Sequence, residues 1–309
     1  TPRTRTMSAP GKVVVVTGGT GGIGYQAALA IAKANLANTV IITGRSVGSG
    51  NEAVGKIKAE SGNANVHLAL GDLALQQGVR SLAAELLHRF PKIDVLVNNA
   101  GNLCTGTLET TADGVTKNFA VNVIAPLLLS RLLLPALQAA SPVGNVQITS
   151  GGTPFPEIKL DDLEGAKVPV GVPSYSHSKR VMEAMSLALE KELAPHGIAV
   201  NVVGGGSPGS TSMTAAVNIG DLPWFVRCLF PCWMCMMAPD SGKSAALCAK
   251  PVVWGVSASP TDLGTRNYYL VKAGKKESWP KPALDEAKQA AVLKYCESKI
   301  VKCQSVISK

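Results

Sequence analysis

The chain has 309 residues, of which 46% are hydrophobic and 17% charged. That is enough apolar material for a sizeable core and too much for a disordered segment. Thirty Lys and Arg against twenty-one Asp and Glu leave a formal charge of +9. The basic residues are scattered, with short pairs such as Lys275-Lys276 and no basic run interleaved with aromatics. Nucleic acid is therefore not an expected partner, whereas an anionic cofactor or a membrane lipid would use the same charge. Seven cysteines at irregular spacing read as reduced thiols rather than a disulfide framework.

The opening TPRTRTMSAP has two Arg, three Thr and no acid. Residues 1–11 read as the remnant of an organelle transit peptide, mitochondrial or plastid, or as a plain disordered tail. A cytoplasmic location is the alternative. The apolar stretches Val121–Leu137 and Leu222–Met237 each contain Pro and Arg and are shorter than a spanning helix requires. No transmembrane segment is expected.

The first predicted strand, Lys12–Thr17, runs into Thr17-Gly18-Gly19-Thr20-Gly21-Gly22-Ile23-Gly24 and then a helix over Ile23–Asn35. Glycines let the backbone turn tightly and bring its N–H groups to a pyrophosphate at the helix N-terminus. Gly18, Thr20, Gly22, Ile23 and Gly24 are the candidate phosphate cradle. No Gly-Lys-Ser/Thr follows, so it is not a Walker loop. The second strand, Thr39–Thr43, ends in Gly44-Arg45-Ser46. An acid at this point would bind a ribose 2′-hydroxyl, whereas Arg accommodates a 2′-phosphate, so Arg45 and Ser46 point to NADP(H). After the third strand, Asn65–Ala69, Asp72 and Leu73 are candidates for the adenine.

A helix over Gln76–Phe90 leads to strand Ile93–Val97 and then Asn98-Asn99-Ala100-Gly101, of which Asn99, Ala100 and Gly101 are candidate cofactor contacts. An amphipathic helical segment over Thr110–Ala139 precedes strand Asn145–Thr149, and Ser150 follows it directly. Thr153–Pro173, rich in Pro and Gly and containing Asp161, Asp162 and Glu164, reads as a long excursion over the surface. The next helix, Ser174–Ala194, opens with Tyr175 and Lys179, four apart and so on one face. A free phenol titrates near 10, and a neighbouring ammonium favours phenolate, so the pairing is expected to lower the tyrosine pKa. Strand Ile198–Val203 leads into a glycine-rich and then apolar stretch, Gly204–Pro239, placed where such folds carry lids. Strand Asn267–Val271 and a C-terminal helix over 283–303 complete the alternation.

Strand–helix alternation without repeats or a linker predicts an α/β fold. It is a doubly wound Rossmann-type parallel sheet of about seven strands with helices on both faces, in one domain over residues 12–303. Several strands are continuous apolar runs, as expected where both faces are covered.

Two other constellations fail on their own terms. Gly205-Gly206-Ser207-Pro208-Gly209 matches a nucleophile elbow, but a hydrolase of that type needs a later His, and all four His precede Ser207. Cys228, Cys232 and Cys235 lack a second metal-binding knuckle and are interleaved with apolar residues, so no metal is expected. The Leu222–Met237 segment reads as a lid over a lipophilic ligand or a peripheral membrane contact, with core or a subunit interface as the plain alternative. His177 is expected to be packed or solvated rather than chemical.

Taken together, TGGTGGIG, NNAG, Asn122, Ser150, Tyr175-x-x-x-Lys179 and Pro208-Gly209, in that order, resemble the short-chain dehydrogenase/reductase family over residues 12 to about 300. Within it the chain looks most like the retinol dehydrogenase and WW-domain oxidoreductase branch, and less like protochlorophyllide reductases. The branch is indicated by Tyr-Ser-His-Ser-Lys, the acidic IKLDDLEG, the spacing from Ser150 to Tyr175 and the helix AVLKYCESKIV. The resemblance implies that Tyr175 exchanges a proton with the substrate oxygen and that Ser150 hydrogen-bonds it. It further implies that Lys179 lowers the tyrosine pKa and holds the nicotinamide ribose, and that Asn122 supports a water relay. Pro208 and Gly209 would contact the cofactor, although the loop before them is about three residues longer than the family pattern. The function implied is carbonyl–alcohol interconversion on a small lipophilic substrate. The alternative is a weakly active or inactive nucleotide-binding subunit of a larger organellar complex. A homo-oligomer or membership of such a complex is expected in either case.

Overall fold

Four consecutive valines, Val13–Val16, form the first strand, β1, and show why the strands are apolar throughout. Successive side chains of a strand point to opposite faces. Val14 and Val16 enter one core and Val15 the other. In the computed structural model, which describes residues 10–140, 144–149, 157–204, 245–270 and 274–301, all seven strands are parallel and run in the order β3-β2-β1-β4-β5-β6-β7. The others are β2 (Thr39–Gly44), β3 (Val66–Leu70), β4 (Val95–Asn98), β5 (Asn145–Thr149), β6 (Ala199–Gly204) and β7 (Tyr268–Leu270). The expected strands agree with these to within two residues among the described positions.

One face of the sheet is covered by α1 (Gly22–Ala34), α2 (Val47–Ser61) and α8 (Ala245–Ser257). Their Ala28, Ile31, Ile57 and Val252 pack against Val14, Val40, Ile42 and Val97. The other face is covered by α3 (Gln76–Arg89), α5 (Ala125–Leu132) and α7 (Val172–Leu193), with Leu82, Leu127 and Met185 against Ile41, Leu96 and Ile148. Chain order reverses between β1 and β4, which opens a crevice at the C-terminal edge of the sheet.

The helical segment expected over Thr110–Ala139 is broken. Gly114, with φ +75°, turns the chain so that Thr110 bridges Thr116. Helix α4 then spans only Lys117–Phe119, continues as a π-helix over Ala120–Ile124, and gives way to α5 and α6 (Leu134–Gln138), each with a proline in its first turn. Proline donates no N–H and suits a helix start, which accounts for the breaks.

The C-terminal helix expected over 283–303 is likewise divided into α10 (Lys281–Leu284), α9 being Pro260–Leu263, and α11 (Glu286–Lys299). Asp285 separates the two because its carboxylate accepts from Lys288 N, capping α11 instead of continuing α10. Residues 302 and 303 lie outside the described positions.

The excursion before α7 is less superficial than its composition suggests. Its described part buries Ile158, Leu163 and Val168, and the first two join the core. Asp162 accepts from the N–H groups of Ala166 and Lys167, both at 2.8 Å, closing a turn at Gly165. Glu164 then ties the excursion to both the start of α4 and the C-terminal helix α11. Its carboxylate accepts from Thr116 N at 2.8 Å and Tyr295 Oη at 2.6 Å, and pairs with Lys299 Nζ at 3.1 Å. Arg131 of α5 clamps α7 and α11 by bonding Glu192 and Glu297. Among the described residues no helix is long and apolar enough to cross a membrane.

Removing the Glu164 carboxylate leaves the partly buried Thr116 N–H and Tyr295 hydroxyl without this acceptor and Lys299 without its ion pair. Glu164→Ala is expected to lower the unfolding free energy by about 1–3 kcal/mol in denaturant titration. A loss under about 0.5 kcal/mol, the range of ordinary surface changes, would contradict this clamp.

Candidate active site

The glycine-rich turn between β1 and α1 is shaped by positions that accept nothing larger. Gly18 and Gly22 have φ of +65° and +55°, in the left-handed region that glycine enters without strain. A Cβ on Gly24 would lie 2.4 Å from both Asn99 Nδ2 and Gly18 O, whereas one on Gly21 would meet nothing within 4 Å. Gly24 packs the turn and Gly21 faces open space. Helix α1 begins with no side-chain cap and no acidic residue in its first turn. Its N-terminal N–H groups and positive dipole end are thus available to an anion. These features fit a dinucleotide pyrophosphate.

Thr17 and Asn99 hold the turn against the end of β4. Thr17 Oγ1 accepts from Asn99 N at 2.9 Å and Ala100 N at 3.0 Å, and Asn99 Nδ2 donates to Thr17 O at 2.8 Å. The Asn99 amide therefore braces the cradle, a role that sequence reasoning gave to no residue. Arg45 and Ser46 are exposed at the end of β2, next to the start of α2. Asp72 is partly buried, with its Oδ1 accepting from Ala74 N at 3.0 Å, so this carboxylate shapes the turn after β3, with Leu73 beside it.

On the far side of the crevice, α7 carries Tyr175 and Lys179 in its first two turns. The Lys179 ammonium lies over the Tyr175 ring, 5.8 Å from its centroid, and donates to Thr149 O at 3.2 Å. The side chain of Lys179 is buried. That burial pushes its pKa down to about 8, against an opposing pull from Glu183. Glu183 is itself paired with Arg180 and accepts from Tyr268 Oη at 2.7 Å. The expected acidification of Tyr175 is corrected here. Burial raises its phenol to about 12, because removal from water disfavours the phenolate.

Asn122 sits in the π-helix and is fully buried. Its Oδ1 accepts from Asn102 N at 2.8 Å, and its Nδ2 donates to Asn102 O at 3.0 Å and Ser178 Oγ at 2.8 Å. The side chain thus ties the loop after β4 to α7, between Tyr175 and Lys179. Widened helical turns of this kind recur at functional sites. Asn118 makes a parallel set of bonds one turn earlier, also unanticipated from sequence. His177 is buried with neither ring nitrogen hydrogen-bonded, and burial lowers its pKa. It is packed rather than solvated. Ser150, Pro208, Gly209 and the apolar Leu222–Met237 segment lie outside the described residues, as does Ser207. Among the described residues no cluster of His, Cys, Asp or Glu could hold a metal ion.

Comparison with known proteins adds three likenesses and a family match. Residues 12–221 match the family model described as short chain dehydrogenase. The chain is 32% identical over 200 residues to retinol dehydrogenase 12 of Mus musculus, a match spanning 65% of this chain and 62% of that protein, less than two thirds of its length. It is 27% identical over 294 residues to polyprenol dehydrogenase of Homo sapiens, covering 93% of this chain and 85% of that protein. A solved short chain dehydrogenase from Burkholderia cenocepacia, in complex with NADP, is similar with a TM-score of 0.63 and 25% identity, over 86% of this chain and 98% of that one.

Proposed function

Since the chain belongs to the short-chain dehydrogenase family, we propose that it is an NADP(H)-dependent oxidoreductase interconverting a carbonyl and an alcohol on a small lipophilic substrate. The observation that carries this reading is the buried Lys179 ammonium over the Tyr175 ring, across the sheet edge from an uncapped glycine-rich helix start. When bound, the nicotinamide supplies or accepts the hydride, and the protein's contribution is orientation and proton transfer.

At neutral pH a phenol titrating near 12 keeps its proton on Oη, the form that can protonate a carbonyl oxygen as it gains electrons. In the opposite direction the phenol must first give up that proton, and the phenolate Oη then accepts the alcohol proton. Lys179, titrating near 8, is mostly charged at neutral pH, and its ammonium stabilises negative charge developing on the phenol oxygen. Thr149 O holds Lys179 at 3.2 Å, and Asn122 fixes α7 against the opposite wall through Ser178. Ser150, directly after β5 in sequence, is assigned to orient the substrate oxygen.

Arg45 and Ser46 are exposed after β2, and the Thr43-Gly44-Arg45-Ser46 turn contains no acid. This supports recognition of a 2′-phosphate by charge-assisted hydrogen bonds. A lipophilic substrate is supported by Leu222–Met237, whose single charged residue is Arg227. It is also supported by similarity to proteins named for two apolar alcohols, retinol and polyprenol.

Two substitutions separate these roles. Tyr175→Phe is expected to lower kcat by about 100- to 10,000-fold while NADPH still binds in a fluorescence titration; substantial remaining turnover would contradict the acid–base assignment. Arg45→Ala is expected to raise KM for NADPH by about tenfold or more, the equivalent of one lost charged hydrogen bond, and to leave KM for NADH nearly unchanged. Equal effects on both cofactors would remove Arg45 from phosphate recognition.

A further inference from the structure

The wall facing α7 contains two asparagine bridges rather than one. Asn118 and Asn122 are four residues apart, and Ser174 and Ser178 are four apart on α7. Asn118 Nδ2 donates to Ser174 Oγ at 3.2 Å, just as Asn122 Nδ2 donates to Ser178 Oγ at 2.8 Å. Each serine hydroxyl in turn donates to a carbonyl of its own helix start, Gly171 O at 3.0 Å for Ser174 and Tyr175 O at 2.6 Å for Ser178. On the other side, Asn118 Oδ1 accepts from Asn102 Nδ2 at 2.9 Å and Cys104 N at 3.0 Å. Asn102 is the residue whose backbone Asn122 grips from both its N–H and its carbonyl.

The serines are the immediate chain neighbours of the reacting pair, since Ser174 precedes Tyr175 and Ser178 precedes Lys179. All four bridging side chains are buried, none more than 2% exposed. Burying two primary amides costs free energy unless every donor and acceptor is engaged, and an apolar pair would fill the same volume without that requirement. What the amides add is direction. They fix the rotation and height of the first two turns of α7 relative to the loop after β4, and the phenol must meet its substrate within a few tenths of an ångström.

We propose that Asn118 is a positioning residue for Tyr175, acting through Ser174 and Asn102 as Asn122 acts beside Lys179. This inference rests on the assignment of Tyr175 as the acid–base group. Asn118 does not touch the reacting atoms, so its loss affects the chemical step more than cofactor binding.

The test uses the full chain, NADPH and the best substrate of a panel of apolar aldehydes and ketones, with steady-state kinetics on Asn118→Ala, Ser174→Ala and the double variant. Expected are a kcat about tenfold lower in Asn118→Ala, a KM for NADPH within about twofold of the parent, and a double variant no worse than Asn118→Ala alone, because both changes break one bridge. If Asn118→Ala does not fold, Ser174→Ala, which removes a single hydroxyl, must show the same fall in kcat at constant KM. A kcat within twofold of the parent, or multiplicative losses in the double variant, would overturn the inference while leaving an inactive Tyr175→Phe enzyme to support the underlying assignment. An active Tyr175→Phe enzyme, or a parent without turnover across the panel, would overturn that assignment and this inference with it.

Discussion

A lysine whose side chain is almost wholly removed from water is the constraint around which the site is arranged. An isolated buried ammonium is costly, and the fold meets that cost with Thr149 O, the face of the Tyr175 ring and the more distant Glu183 carboxylate. These compensations are partial, which is why the Lys179 pKa falls to about 8. Tyr175 is displaced in the opposite sense by the same burial. The two groups therefore hold their protons at neutral pH for different reasons, one by proximity to acceptors and one by reluctance to ionise.

The sheet supplies the geometry for this arrangement. Parallel strands deliver their C-terminal ends to one edge, and the reversal of chain order between β1 and β4 separates the loops there. The strands themselves are committed to the two cores, with alternate residues of each run facing opposite ways. The polar side chains that build the site stand at strand ends and in the helices facing them, and several bond to backbone groups. Thr17, Asn99, Asn118 and Asn122 all stitch loops that would otherwise move independently. Glu164 and Arg131 extend the bracing outward to the C-terminal helix, so that α11 is fastened to the excursion entering α7 and to α5.

Much of this was readable in the sequence, for definable reasons. The valine runs, the glycine turn and the Tyr–Lys spacing are local patterns whose physical meaning does not depend on distant contacts. The same holds for Arg45 at the end of a strand. What escaped was long-range. Asn118 lies in the Thr110–Ala139 stretch, which reads as one amphipathic helical segment, and only the proximity of Ser174 and Asn102 gives it a partner. The available signal was the pairing of N-x-x-x-N with S-x-x-x-S in two helices. The Pro, Gly and acid content of the excursion marks it as superficial, whereas Ile158 and Leu163 anchor it in the core and two of its acids serve as internal acceptors. The shift of the Tyr175 pKa is not legible in the sequence, because spacing along a helix reports neighbours, not the degree of desolvation.

The most direct measurement is titration of Lys179 itself, by NMR of the full chain carrying ¹³C-labelled lysine, with the resonance assigned by its loss in Lys179→Arg. The account requires a midpoint near 8, set apart from the surface lysines. A midpoint at the ordinary lysine value of 10.5 would contradict the account, because desolvation would then not outweigh the contacts with Thr149, Tyr175 and Glu183.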